Sequence, residues 1–148
     1  MKRLPFIDEY SLDIAAGRQD TWAALTGVVR SDLGAPPVLL TKLLNLEPAA
    51  RSGTWSPAAV GPDATLPGFA VEEARAPDRL ALRGRHRFSA YALVFELDEG
   101  HEAVTRLRAQ TWAAFPGLQG RAYRALVIGT RAHRIVVRRL LRRVAQRV

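Results

Sequence analysis

Two histidines stand on otherwise mostly apolar faces of this 148-residue sequence, and acid–base chemistry would begin with them. His86 belongs to the alternating run Leu80, Leu82, Gly84, His86, Phe88. His133 lies on a helical stripe formed by Ala122, Leu126, Thr130, His133, Val137, Leu140, Leu141, Val144 and Val148. Imidazole titrates near neutrality, so either side chain can orient a ligand or move a proton if it faces a cavity. Either can equally be a core histidine hydrogen-bonded to backbone or to a tyrosine. His101, beside the turn signal Asp98-Glu99-Gly100, is expected in solvent.

Other chemistries are poorly served. The sequence has no cysteine, which removes disulfides, zinc–thiolate sites, iron–sulfur ligation and thiol nucleophiles. It has neither a His-x-x-x-His pair nor a carboxylate–histidine cluster at metal-ligand spacing. Gly-x-Ser-x-Gly, Gly-x-Gly-x-x-Gly and phosphate-loop motifs are also missing. Neither a metal nor a cofactor is expected.

The net charge of +8 is concentrated rather than spread. Residues 121–148 hold nine arginines and no acid, whereas the remaining 120 carry 13 basic and 14 acidic side chains. At 100° per residue Arg131, Arg134, Arg138 and Arg142 cluster opposite the apolar stripe, with Ile128 and Ile135 among or beside them. Such a mixed surface suits an anionic membrane surface or a protein partner, and it can also be a plain solvated face. Nucleic-acid binding is not expected, because no helix-turn-helix, zinc finger or aromatic stacking motif accompanies the charge.

The elements that must position these groups follow from periodicity and punctuation. Phe6, Tyr10, Leu12 and Ile14 predict a first strand within Pro5–Ala16, ended by Gly17. Trp22, Leu25, Val29 and Leu33 then recur at helical spacing. Gly34 and Pro36-Pro37 separate that helix from a second, whose buried face is Leu39, Leu40, Leu43, Leu44 and Leu46. Pro48 ends it, and the Gly- and Pro-rich stretch that follows is expected to be a loop with a short edge strand at 54–60. From Phe69 the period becomes two. Strands are predicted at 69–73, 79–88, 91–97 and 103–115 as an antiparallel meander, the second with four arginines on its solvated face. Strict alternation from Leu107 turns Trp112 outward, and a bulge would reverse it. One helix of about 30 residues, roughly 45 Å long, is predicted from Leu118 to the end.

With 48% hydrophobic and 24% charged residues, the chain 1–148 fits a single folded domain. The acids Asp8 and Glu9 interrupt the N-terminus before a signal-peptide core can form, and no stretch is long and apolar enough to span a bilayer. A cytoplasmic protein is expected, as a monomer or homodimer.

Three local patterns carry a family resemblance: Ile14-Ala15-Ala16 leading to Trp22; Val104-Thr105-Arg106-Leu107; and Gly117-Leu118-Gln119-Gly120-Arg121-Ala122-Tyr123 followed by His133. With the order strand, two short helices, meander and long helix, the chain resembles the helix-grip (SRPBCC) superfamily. That superfamily includes START lipid-transfer domains, birch-pollen-allergen-like proteins and polyketide cyclases. The Gly-Arg-x-Tyr step and Arg85-His86-Arg87-Phe88 look like a bacterial branch of it. The resemblance implies an α+β fold, with a curved antiparallel sheet of about six strands wrapped around the last helix. It also implies an internal cavity for a hydrophobic small molecule, a lipid or polyketide-like metabolite. Leu82, His86, Tyr91, Phe95, Leu126, Thr130 and His133 would line that cavity. Binding would not require catalysis. An enzyme reading would be a cyclase or dehydratase, a lyase or isomerase, with His86 or His133 as acid or base and Tyr91 as donor. Fold analogy by itself warrants no particular reaction.

Overall fold

A computed structural model describes residues 4–33, 65–66, 69–86, 89–101, 103–115, 117–127 and 132–148. In chain order these form β1 (Phe6–Ile14), α1 (Arg18–Leu33), β2 (Thr65–Leu66), β3 (Phe69–Arg75), β4 (Arg79–His86), β5 (Ser89–Glu99), β6 (Thr105–Ala114), α2 (Gly117–Val127) and α3 (Ala132–Arg147). The second expected helix and the edge strand at 54–60 lie outside the described residues.

The sheet is antiparallel throughout, in the order β1-β6-β5-β4-β3-β2. Five strands of 7 to 11 residues carry it. The expected count of about six is reached only by including β2, a two-residue rung against Phe69 and Ala70. The meander forms as the alternation demands, because each strand presents one continuous apolar side for the helices to cover. The turn between β5 and β6 falls slightly later than its sequence signal. β5 runs through Glu99, and the Gly100 amide donates to the Val104 carbonyl at 2.8 Å. A Cβ on Gly100 would stand 2.9 Å from that oxygen, so this close approach requires glycine.

Two helices share the covered face. α1 packs on β5, α3 packs on β1 and β6, and the two pack on each other. From α1 come Trp22, Leu25 and Val29, as the spacing predicts, together with Thr21, Ala24, Thr26 and Val28; α3 contributes Val137, Leu140, Leu141 and Val144. They meet Ile14, Val71, Leu80, Leu82, Phe95, Leu97, Leu107 and Ala109 of the sheet in one cluster. The Thr105 hydroxyl, itself buried, donates to the Ala16 carbonyl at 2.7 Å and ties the start of β6 to the β1–α1 connection.

Within the span of the expected terminal helix, helix is described at Gly117–Val127 and Ala132–Arg147, and residues 128–131 lie outside the description. The apolar stripe does not hold through the first of these. Ala122, on the predicted stripe, is exposed, while Gly120, off it, is buried. Val148, past the end of α3, is also exposed. The stripe describes α3 because that helix has a protein face to bury against.

The outer face of the sheet is a charge lattice. Arg79 bonds Glu73 at 3.0 Å and also Glu96; Arg108 bonds Glu96, Glu9 at 2.9 Å and Asp98 at 2.6 Å. The alternating row Glu73, Arg79, Glu96, Arg108, Glu9 thus crosses five strands. Two of the four arginines expected in solvent on β4, Arg79 and Arg83, are half-buried and paired, Arg83 with Glu72 at 3.6 Å. The side chain of Arg85 and all of Arg87 lie outside the description. Ala81, Ala92 and Val94 are buried between these longer side chains, where stems of arginine cover small neighbours. Trp112 points to this outer face, as alternation requires, since the β5–β6 register is unbroken. Its ring meets Phe6 edge-on at 5.1 Å, and the irregularity lies in β1 instead, between Phe6 and Asp8.

At the rim of the lattice the Arg106 Nε–H donates to Asp13 at 2.9 Å and holds that carboxyl below its ordinary pKa. A depressed carboxyl pKa stabilises the fold above the unfolded-state value, and this contribution disappears as pH falls through the folded-state value. Asp13 is therefore expected to titrate below the usual carboxylate range in an NMR pH series, and Arg106→Gln is expected to move its midpoint upward. An unchanged midpoint in the variant would show that the hydrogen bond is not the cause.

Candidate functional site

The helix-covered side of the sheet is unevenly filled. Antiparallel register aligns Tyr10, Ala109, Phe95 and Leu80 in one row, and Asp8, Thr111, Leu93 and Leu82 in the next. Tyr91 stands one row further, opposite Gly84 and Ala113. Side chains directly opposite across a strand pair have Cβ atoms about 4.5–5.5 Å apart, so each row is a contiguous line of contact. In the first of these rows Phe95, Leu80 and Ala109 have no accessible surface at all. In the second, Asp8, Thr111 and Leu93 are only partly covered, and so is Tyr91 beyond them. The boundary between closed core and accessible sheet therefore runs obliquely, since Tyr10 in the first row is half-covered and Leu82 in the second is sealed.

This accessible end is polar along one side and apolar along the other. The Thr111 hydroxyl is buried with no hydrogen-bond partner among the described residues, and one carboxylate oxygen of Asp8 is buried as well. A buried hydroxyl left without a partner costs about 1–3 kcal/mol, which a water or a ligand polar atom would recover. Leu93 continues the row as half-covered aliphatic surface, and Leu82 beyond it is sealed. Next to it, the Arg138 guanidinium lies 5.0 Å from the centre of the Tyr10 ring. The arrangement sets a hydroxyl and a carboxylate beside half-covered Leu93, with a cation nearby.

The sequence-predicted site residues are distributed as follows. Leu82 and Phe95 belong to the closed core, both with no exposed surface, and Tyr91 is half-buried on the same side of the sheet. His86 pairs with Ser89 at the end of β4, in register with Leu82, and its side chain is not among those described. Leu126 lies in α2 and His133 in α3, also without described side chains, and Thr130 and Arg131 fall outside the description. Arg134 and Arg142 are exposed, as expected. Arg138 is exposed too, but it is turned onto Tyr10 rather than away from the protein. β1 runs beside α3, and a long stem lets the guanidinium reach a ring that helical phase alone places out of range.

Asp8 and Thr111 were missed, although both left a signal. Asp8 interrupts the alternation Tyr10, Leu12, Ile14 at the position where another apolar residue is due, and Thr111 does the same in the series Leu107, Ala109, Thr111, Ala113. A polar residue in an apolar register marks either a sheet end or a site. His101 is exposed at its turn, as expected. Among the described residues no group of three His, Asp or Glu side chains is placed to hold a metal ion.

No family model and no curated protein matches this sequence. Solved structures do. A conserved protein from Geobacillus kaustophilus is 16% identical, covers 93% of this chain and 91% of its own, and superposes with a TM-score of 0.54. CalU16 from Micromonospora echinospora is 14% identical over 98% of this chain and 91% of its own, with a TM-score of 0.53. Truncated norcoclaurine synthase from Thalictrum flavum is 10% identical over 99% and 96%, with a TM-score of 0.54. Identities this low speak to fold alone, and on that evidence, with the α+β architecture above, the chain has the helix-grip fold.

Proposed function

We propose that this protein binds a small, largely apolar molecule with one polar end, seated at the accessible end of the helix-covered face. The observation that carries this reading is the change from sealed Phe95 to half-covered Leu93 two residues along β5, beside Asp8 and Thr111, whose buried hydroxyl lacks a partner among the described residues. In this reading Leu82 and Phe95 lie beneath the site, in the closed core. Tyr91 and Leu93 flank the ligand body, and Thr111 and Asp8 take its polar end. His86, Leu126, Thr130 and His133, expected from the sequence to line such a site, lie outside the described side chains. Norcoclaurine synthase, by its name, makes a small molecule on this fold, which supports the ligand class and no particular reaction.

The test uses the uncharged fluorophore N-phenylnaphthylamine. Saturable one-to-one binding is expected, and Leu93→Trp, which fills the space with an indole, should weaken it at least about tenfold, the equivalent of 1.4 kcal/mol. Leu93 is only half-covered, so the variant should keep a cooperative melt. Equal affinity in a folded Leu93→Trp protein would remove the ligand from this place. Native mass spectra of the protein purified from its own host would show the natural occupant. Loss of water from that occupant on incubation would move the reading to a dehydratase- or cyclase-type enzyme.

A further inference from the structure

Two groups of arginines contrast among the described residues. Arg18, Arg75, Arg79, Arg83, Arg106 and Arg108, on α1 and the sheet, each stand within 4.0 Å of a carboxylate. Arg134, Arg139 and Arg142 on α3 are exposed, and no carboxylate among the described residues approaches them. Among the described residues, α3 thus displays Arg134, Arg139 and Arg142 with no carboxylate beside them.

Exposed aliphatic side chains share that surface. Ile135 is 68% exposed and Val136 58%, although the opposite side of the same helix buries Val137, Leu140, Leu141 and Val144. Ile135 lies one turn from Arg139 and two from Arg142, so the three form one strip facing away from the core. A solvated face has no use for β-branched aliphatics between its charges. Phosphates of a nucleic acid would engage the guanidinium groups and leave Ile135 and Val136 against water. An anionic bilayer answers both, because guanidinium forks bind lipid phosphates while aliphatic side chains enter the headgroup–acyl boundary. No helix among the described residues is long and apolar enough to cross a membrane, so contact would be from the side.

We propose that α3 docks this protein onto anionic lipid surfaces through Ile135, Val136, Arg139 and Arg142, with Arg134 at the margin. The occupant is a bilayer presenting acidic phospholipid headgroups. The inference is independent of the ligand site, since none of these side chains contributes to the Asp8–Thr111–Leu93 row.

Vesicle flotation of the full chain tests it, with phosphatidylcholine alone and with phosphatidylcholine mixed with phosphatidylglycerol. Binding is expected only to the mixed vesicles and should fall as salt is raised. Each arginine near an anionic surface multiplies binding by roughly five, so Arg139→Glu with Arg142→Glu should cost at least about 25-fold. Ile135→Ser, with every arginine retained, should weaken binding severalfold. All three positions are exposed, and an unchanged melting curve confirms that the fold is kept. Equal binding to neutral vesicles would overturn the proposal. So would full vesicle binding by Ile135→Ser, or a short DNA duplex that displaces the protein from vesicles.

Discussion

Phe95→Ala is expected to lower the unfolding free energy by about 3–5 kcal/mol, measured as a drop in the denaturant midpoint at unchanged slope. Phe95 has no accessible surface and lies in the middle of the sheet, opposite Leu80 on β4 and Ala109 on β6, with Leu93 and Leu97 on its own strand. Ala109 is small between Tyr10 and Phe95, so the ring fills room that no neighbour can reclaim. In a domain whose net stability is roughly 5–15 kcal/mol, this loss is about a fifth or more. Leu93→Ala, two residues away on the same side, is expected to cost clearly less, because part of that side chain already meets solvent. Equal losses at the two positions would mean that the closed row and the open row are not distinct.

Val144→Asp should act more severely, by detaching α3. Val144 is fully buried in the cluster that joins α3 to α1 and the sheet, so a carboxylate there would be desolvated without a partner, at a cost of several kcal/mol. Hydrogen exchange should show lost protection through 132–147 and weakened protection in α1, which packs against it. Ile135→Asp, on the exposed side of the same helix, is expected to change stability by no more than about 0.5 kcal/mol. Full protection of α3 in Val144→Asp would refute the packing of this helix on the sheet.

Much of the frame was legible because local periodicity and burial agree where an element has one covered side. The β3–β6 meander and the buried set of α3 follow from that rule, whereas the facing of Trp112, open between alternation and a bulge, is settled by the β5–β6 register. Coverage of the sheet was less legible. The sequence reading centred it on one long helix, whereas α1 and α3 divide it, because which surfaces meet depends on contacts between segments about 110 residues apart. The site was the least legible part. Asp8 and Thr111 are separated by about a hundred residues in sequence and become neighbours only through the β1–β6 pairing. Leu82, Phe95 and Tyr91 look equivalent as apolar-face residues, yet two are sealed and one is not.

The sequence by itself determined which residues alternate, which helical stripe is apolar, and that the positive charge gathers in the last 28 residues; these are properties of neighbours along the chain. Only the tertiary structure decided which arginines meet carboxylates, which row of the sheet stays open, and that Arg138 turns onto Tyr10. The reason is physical: alternation fixes the side of a strand on which a residue lies, but burial and charge pairing depend on what another segment brings to that side.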